Sequence, residues 1–153
     1  MTAFQPHPPR WWRRPPIRLA VTAAWLLTRL PPVRIRAFLL LARRGARPAT
    51  RAETWRARSE ITALSVACAG EGCLQRSVAT TLLCRMRGSR PTWCTGVRTQ
   101  PFAAHAWVEV DPIPVGENTA IGQYHRLLNV PPQPPRTLTT AHPTEEPHNG
   151  TRR

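Results

Sequence analysis

The 153-residue sequence has no lysine, so its formal charge of +14 rests on arginine, 22 residues of it against 8 acidic ones. The shortage of acid excludes a long acidic tail, and the length excludes a large multi-domain machine. No apolar run approaches the ~20 residues needed to cross a bilayer. There is also no C-x-x-C pair: four, ten and nine residues separate Cys68, Cys73, Cys84 and Cys94. That spacing is poor for zinc, and nothing in the sequence asks for a metal or another cofactor. No internal repeat is visible. A disulfide framework is unneeded if the chain stays in the cytosol, the expected compartment.

Proline, by contrast, is abundant at 18 residues, and it divides the chain much as charge does. Residues 1–50 hold ten Arg, eight Pro and no acid, whereas residues 51–130 hold nine Arg and six acids. Between the Pro-rich ends only Pro91 and Pro101 interrupt the chain before Asp111. Proline removes a donor and fixes φ, so it interrupts helices and central strands. A compact domain is therefore expected over 49–130, preceded by a basic arm (1–48). The tail, 131–153, has too few apolar residues to offset chain entropy and is expected to be disordered.

The arm admits three readings. Arg10, Arg13 and Arg14 ahead of Ile17–Leu30 faintly resemble a signal peptide, but Arg18 and Arg29 interrupt the apolar stretch and no A-x-A site follows. Clustered arginine also supplies phosphate affinity. No aromatic stacking platform or DNA-binding motif accompanies it, so nucleic acid is not the expected partner. The favoured reading is two short helices, Ile17–Leu30 and Val33–Ala42, with Arg on their wet faces and Leu19, Leu26, Leu30, Phe38 and Leu41 turned inward.

Local signals sharpen after residue 50. Thr50 and Glu53 fit a capping box, and Ala57, Ile61, Leu64 and Cys68 form one apolar stripe of the helix that follows. Gly70-Glu71-Gly72 breaks it. A second helix should open at Cys73 and end at Gly88, with Leu74, Val78, Leu82 and Met86 as its stripe. Short β-type runs then follow: Thr92–Val97, Ala104–Val110 and, after a turn at Asp111-Pro112, Ile113–Gly116. In the middle run Ala104, Ala106, Val108 and Val110 share one face; His105, Trp107 and Glu109 share the other. Helices followed by a small antiparallel sheet make an α+β fold.

Cys73 concentrates the chemistry. Free amides and the positive dipole end at a helix start stabilise a thiolate. Such a nucleophile needs a base and a group that orients the base. His105 is the candidate base. A hairpin turning at Asp111 pairs residues whose numbers sum to about 222, setting His105 opposite Glu117. That carboxylate could accept a ring hydrogen bond and stabilise imidazolium. Singly, each residue has a plainer explanation: a small buried Cys, a structural His, a solvated Glu. Their order and spacing together favour the site.

The stretches GEGCLQRSVATTLLCRMRG and TWCTGVRTQPFAAHAWVEVDPIPVGE resemble the transglutaminase-like leader peptidase of lasso-peptide biosynthesis. The likeness spans Ala49 to Val130, and the arm's PP-x-R-x-R and ARRGARPATRAE stretches are similar too. The resemblance implies a papain-like cysteine protease core in transglutaminase topology, with Cys73 and His105 as nucleophile and base. The family's third residue, usually Asp twelve positions after the His, is here Glu117; Asp111 is the fallback. The implied activity is removal of the leader from a ribosomally made precursor peptide, with the oxyanion held by amides at the helix start. Implied partners are the leader itself, a separate winged-helix leader-recognition protein and an ATP-dependent cyclase. True transglutaminase acyl transfer to an amine, and a basic nucleic-acid-binding protein, are the alternatives.

Overall fold

Local capping chemistry sets most of the helix ends. A computed structural model describes residues 14–117 and 120–133. Its helices are α1 (Arg14–Leu27), α2 (Pro32–Ala42), α3 (Arg51–Leu64), α4 (Val66–Ala69) and α5 (Cys73–Met86). Its strands are β1 (Arg47–Pro48), β2 (Ser89–Arg90), β3 (Thr92–Thr99), β4 (Phe102–Val110), β5 (Ile113–Pro114) and β6 (His125–Val130). Pro32 opens α2 behind an extended Pro31, a position where the missing N–H costs nothing. Thr50 Oγ1 accepts from the Glu53 amide at 3.2 Å, and the Thr50 amide donates to Glu53 Oε2 at 2.9 Å, completing the capping box. Gly88 follows α5 with φ +82, the left-handed turn that favours glycine.

The stretch from Thr50 to Cys68 is two helices rather than the single one expected. Ser65 turns extended and its hydroxyl accepts from the Cys68 amide, ending α3 and starting α4. Ala57, Ile61 and Cys68 are nevertheless fully buried, as their shared stripe demands.

α5 runs through the middle of the molecule. Ser77, Val78, Ala79, Thr80, Thr81, Leu83 and Cys84 are all buried, so the helix is covered on several sides instead of along one stripe. Its threonines tolerate this because Thr80 and Thr81 hydroxyls donate to the Arg76 and Ser77 carbonyls. Met86, the last residue of the expected stripe, is exposed.

The antiparallel sheet has the order β5-β4-β3-β6, giving the α+β architecture expected. β3 and β4 form a long hairpin from Thr92↔Glu109 to Thr99↔Phe102. Trp93 and Val108 stand opposite each other, and Trp93 Nε1 donates to Ser77 Oγ on α5 at 3.1 Å. β6 pairs with the far edge of β3. Sequence reading misses it, because its mostly exposed residues show no alternation.

Both helices of the N-terminal segment join this core. Ile17, Ala20 and Ala24 of α1 and Ile35 and Leu39 of α2 are buried with Val78, Leu83 and Trp93. Complete burial of Ile17, Ile35 or Leu39 stabilises by roughly 1.5–3 kcal/mol each. The inward face is not the one expected. Leu19, Leu26, Leu30, Phe38 and Leu41 are all exposed, Leu19 to 61 %. Ala20 and Ala24 are small, so α1 can lie close to α5, and that close approach fixes the helix phase. Arg10, Arg13 and the tail beyond Gln133, with the disorder expected there, lie outside the described residues.

Candidate functional site

Cys73 is the first residue of α5, and Gly72 seats it. A Cβ at Gly72 would stand 2.3 Å from the Ala67 carbonyl oxygen, so only glycine lets the chain pass this close to α4. The Cys73 amide donates to the Glu71 carbonyl at 2.8 Å. It is thus already engaged, and among the helix-start amides Leu74 and Gln75 hold the positions that lack an internal acceptor.

β4 brings the second group. β5 pairs only with Glu109 and Val110, leaving the outer edge of β4 open nearer its start. There the Ala106 amide, together with that of Leu74, lies close enough to the Cys73 sulfur to stabilise its thiolate. His105 lies alongside and shares a hydrogen bond with the thiol. Its Nε2 sits 2.8 Å from Glu117 Oε2, which leaves Nδ1 to face sulfur.

The structure thus brings Cys73, His105 and Glu117 together. It does so by a different route from the hairpin pairing expected. The ladder between β4 and β5 pairs Glu109 with Pro114 and Val110 with Ile113, then stops. Glu117 reaches His105 from the loop after β5, where its longer side chain spans the gap. Asp111, the fallback orienter, is exposed at the β4–β5 turn with φ 50, and no hydrogen bond joins it to His105.

The electrostatics follow from these contacts. The hydrogen bond with His105 holds the Cys73 thiol below its ordinary pKa, against burial, with help from the two amides. His105 is raised to about 9 by its bonds to Cys73 and then Glu117, with burial opposing. Burial pushes the Glu117 carboxyl up, but His105 and the charges of Arg58 and Arg76 outweigh it and hold the carboxyl below its usual range. Side-chain exposures of 12 % for His105 and 5 % for Glu117 keep water from screening the pair. Burial drives two other thiols the opposite way, Cys84 and Cys94, to about 12. All four cysteines are free.

Further residues support the site. Arg58 of α3 sets Nη2 3.4 Å from Glu117 Oε1, so the carboxylate bridges two cations. Gly116 makes room for it: at φ +72, its Cβ would lie 2.8 Å from Arg58 Cδ. The His105 ring lies nearly parallel to Trp107 (13°, 6.1 Å) and 5.6 Å from Tyr124. Trp107 is fixed in turn by its Nε1–H donating to Glu109 Oε1 at 2.7 Å, an oxygen that also accepts from Arg126 at 2.6 Å. Arg58 and Tyr124 stand far from His105 in the chain, and only folding joins them.

A thiolate beside an imidazolium can attack a carbonyl, hold the acyl group as a thioester and hand a proton to the leaving group. Water or an amine can then receive the acyl group. The family model of the transglutaminase-like superfamily matches residues 17–129. No curated protein and no solved structure matches the chain.

Proposed function

The chain belongs to the transglutaminase-like superfamily, whose members are generally cysteine-dependent enzymes, and on that premise we propose that it is a cysteine peptidase that removes the leader from a ribosomally made lasso-peptide precursor. The observation that carries this reading is the Cys73–His105–Glu117 set, with a lowered thiol and a raised imidazole. The resemblance around Cys73 and His105 supplies the substrate class.

In this reading the Cys73 thiolate attacks the scissile carbonyl carbon, forming a C–S bond and a tetrahedral oxyanion. The Gln75 amide, which lacks an acceptor within α5, is the donor left at the helix start to receive that oxygen; one such donor is typically worth ~10²–10³ in rate. The oxyanion collapses, the C–N bond breaks, and the His105 imidazolium gives its proton to the departing amine. That amine is the N-terminus of the core peptide. His105, now neutral, takes a proton from water, whose oxygen attacks the thioester. The leader leaves as a carboxylic acid and the thiolate–imidazolium pair is restored. Glu117 holds the ring and stabilises its charge throughout.

The same thioester can be opened by an amine, so acyl transfer is the second reading, and the superfamily fits it equally. Incubation with a precursor peptide, with and without a leader-recognition protein, separates the two by mass spectrometry. Peptidase action yields a core peptide lighter by the leader, whereas acyl transfer to an amine yields a heavier, crosslinked product. Cys73→Ala abolishes either. Cleavage that survives Cys73→Ala refutes both, and tight binding to bulk DNA indifferent to that substitution favours the basic nucleic-acid-binding reading.

The partner surface we propose is the outer face of α1. Leu19 and Leu26 are exposed there, and just beyond the helix the Arg29 guanidinium lies 3.6 Å from the Trp25 ring centre. A separate winged-helix leader-recognition protein, the leader or the ATP-dependent cyclase would meet this apolar and basic face. Leu26→Glu then weakens partner binding and leaves the reactivity of Cys73 intact; unchanged affinity overturns the assignment.

A further inference from the structure

Arg90, in β2, is wholly buried, and its Nε, Nη1 and Nη2 all lack a hydrogen-bond partner. Four of the acids among the described residues are engaged by other cations: Glu53 by Arg47, Glu60 by Arg87, Glu109 by Arg126, and Glu117 by His105 and Arg58. The charges that act on Arg90 are instead two more arginines. Arg43 follows α2, and Arg85 lies in the last turn of α5. Burial, then these two charges, bring the Arg90 pKa down to about 10, so the guanidinium still carries its proton at neutral pH.

Its neighbours are themselves tied to backbone carbonyls. Arg85 donates from Nε to the Ala42 carbonyl at 2.7 Å and from Nη2 to the Arg44 carbonyl at 3.0 Å. Arg43 donates from Nη1 to the Pro131 carbonyl at 3.5 Å. The C-termini of α2 and α5 add partial negative charge here, but none of their carbonyls bonds an Arg90 nitrogen. A buried, unpaired guanidinium is among the costliest groups a fold can hold, and removing it from water is compensated only by a counter-charge with matching hydrogen bonds.

We propose that the corner built by Arg43, Arg85 and Arg90 is a receiving site for a carboxylate, gripped by the planar fork of Arg90. The fork's parallel N–H pair matches the two oxygens of a carboxylate, and the flanking arginines supply long-range attraction. The carboxylate has two possible sources. One is the chain itself: it runs past this corner at Pro131, and Glu145 and Glu146 begin twelve residues beyond Gln133, within a span of up to ~40 Å. The other is a carboxylate borne by another molecule. Neither source depends on the role given to Cys73.

Thermal unfolding of the full chain at pH 7 and constant ionic strength separates these sources, with malonate replacing chloride as the probe. If the carboxylate comes from outside, malonate raises the wild-type midpoint logarithmically once above Kd, by ~3–6 °C for each further tenfold. The effect vanishes in Arg90→Met, and Glu145→Gln/Glu146→Gln is silent. If the chain supplies it, the double glutamine variant has a lower midpoint, malonate restores it, and Arg90→Met makes the glutamines silent. Should Arg90→Met not fold, Arg43→Gln takes its place and shrinks the same effects. The proposal is overturned if neither malonate nor the glutamines move the wild-type midpoint. It is equally overturned if malonate raises the Arg90→Met midpoint as much as the wild type, since that is a general salt effect.

Discussion

Replacing Glu117 with Gln keeps the length and shape of the side chain and removes its charge. His105 stands at about 9 instead of 6.5, a preference for imidazolium of about 3 kcal/mol at ~1.4 kcal/mol per tenfold. The bond to Cys73 is the largest contributor and the bond to Glu117 the second, with burial opposing. Losing the carboxylate therefore removes roughly 1–2 kcal/mol, a ~5–30-fold shift from thiolate–imidazolium toward the neutral pair. The sign is fixed: the ionic pair persists until pH rises through the His105 pKa, and with Gln it gives way about one pH unit lower. The acid limb does not rise, because His105 is still a full cation there and the carboxylate that opposed the thiolate's charge is gone. Iodoacetamide alkylation reads both limbs without any substrate. Burial leaves Cys84 and Cys94 as protonated thiols, at about 12, and Cys68 is buried, so the label reports Cys73. A basic inflection about one pH unit lower in Glu117→Gln, with no rise of the acid inflection, is the expected result; limbs identical to wild type would refute the coupling of Glu117 to His105.

Arg58→Gln should move the basic limb slightly the other way, to higher pH, because losing the cation 3.4 Å from Glu117 leaves that carboxylate less neutralised toward His105; a fall equal to that of Glu117→Gln contradicts the order. Gly72→Ala drives a methyl onto the Ala67 carbonyl, so a stability loss of ~1–3 kcal/mol and slower Cys73 alkylation should appear together in denaturant titration and labelling. Thr50→Ala removes one half of the capping box and should cost ~1 kcal/mol, or ~2–4 °C in the melting midpoint, with no change in Cys73 labelling.

Short-range chemistry was legible before folding. The Thr50 cap, the opening of α5 at Cys73, the Gly88 turn and the alternation of β4 each depend on residues within a few positions, where propensity and hydrogen-bond geometry act directly. The twelve-residue interval from His105 to Glu117 was readable because both residues flank one tight β4–β5 turn. The exact route was not: β5 ends at Pro114, and a longer carboxylate side chain crosses what the ladder does not.

Contacts between distant segments decided the rest. Leucines in α1 and α2 carry the same local pattern whichever side faces inward, and only α5, by admitting Ala20 and Ala24 closely, chose the alanine side. β6 exists because β3 offers an unpaired edge, not because its residues alternate. Arg58 and Tyr124 reach the site from other elements, and Arg90 becomes an orphan only when α2, α5 and β2 converge. The sequence by itself determined where helices start and which residues could react. Tertiary structure decided which faces are dry and which charges meet, because burial and long-range pairing are properties of neighbours that the chain order does not specify.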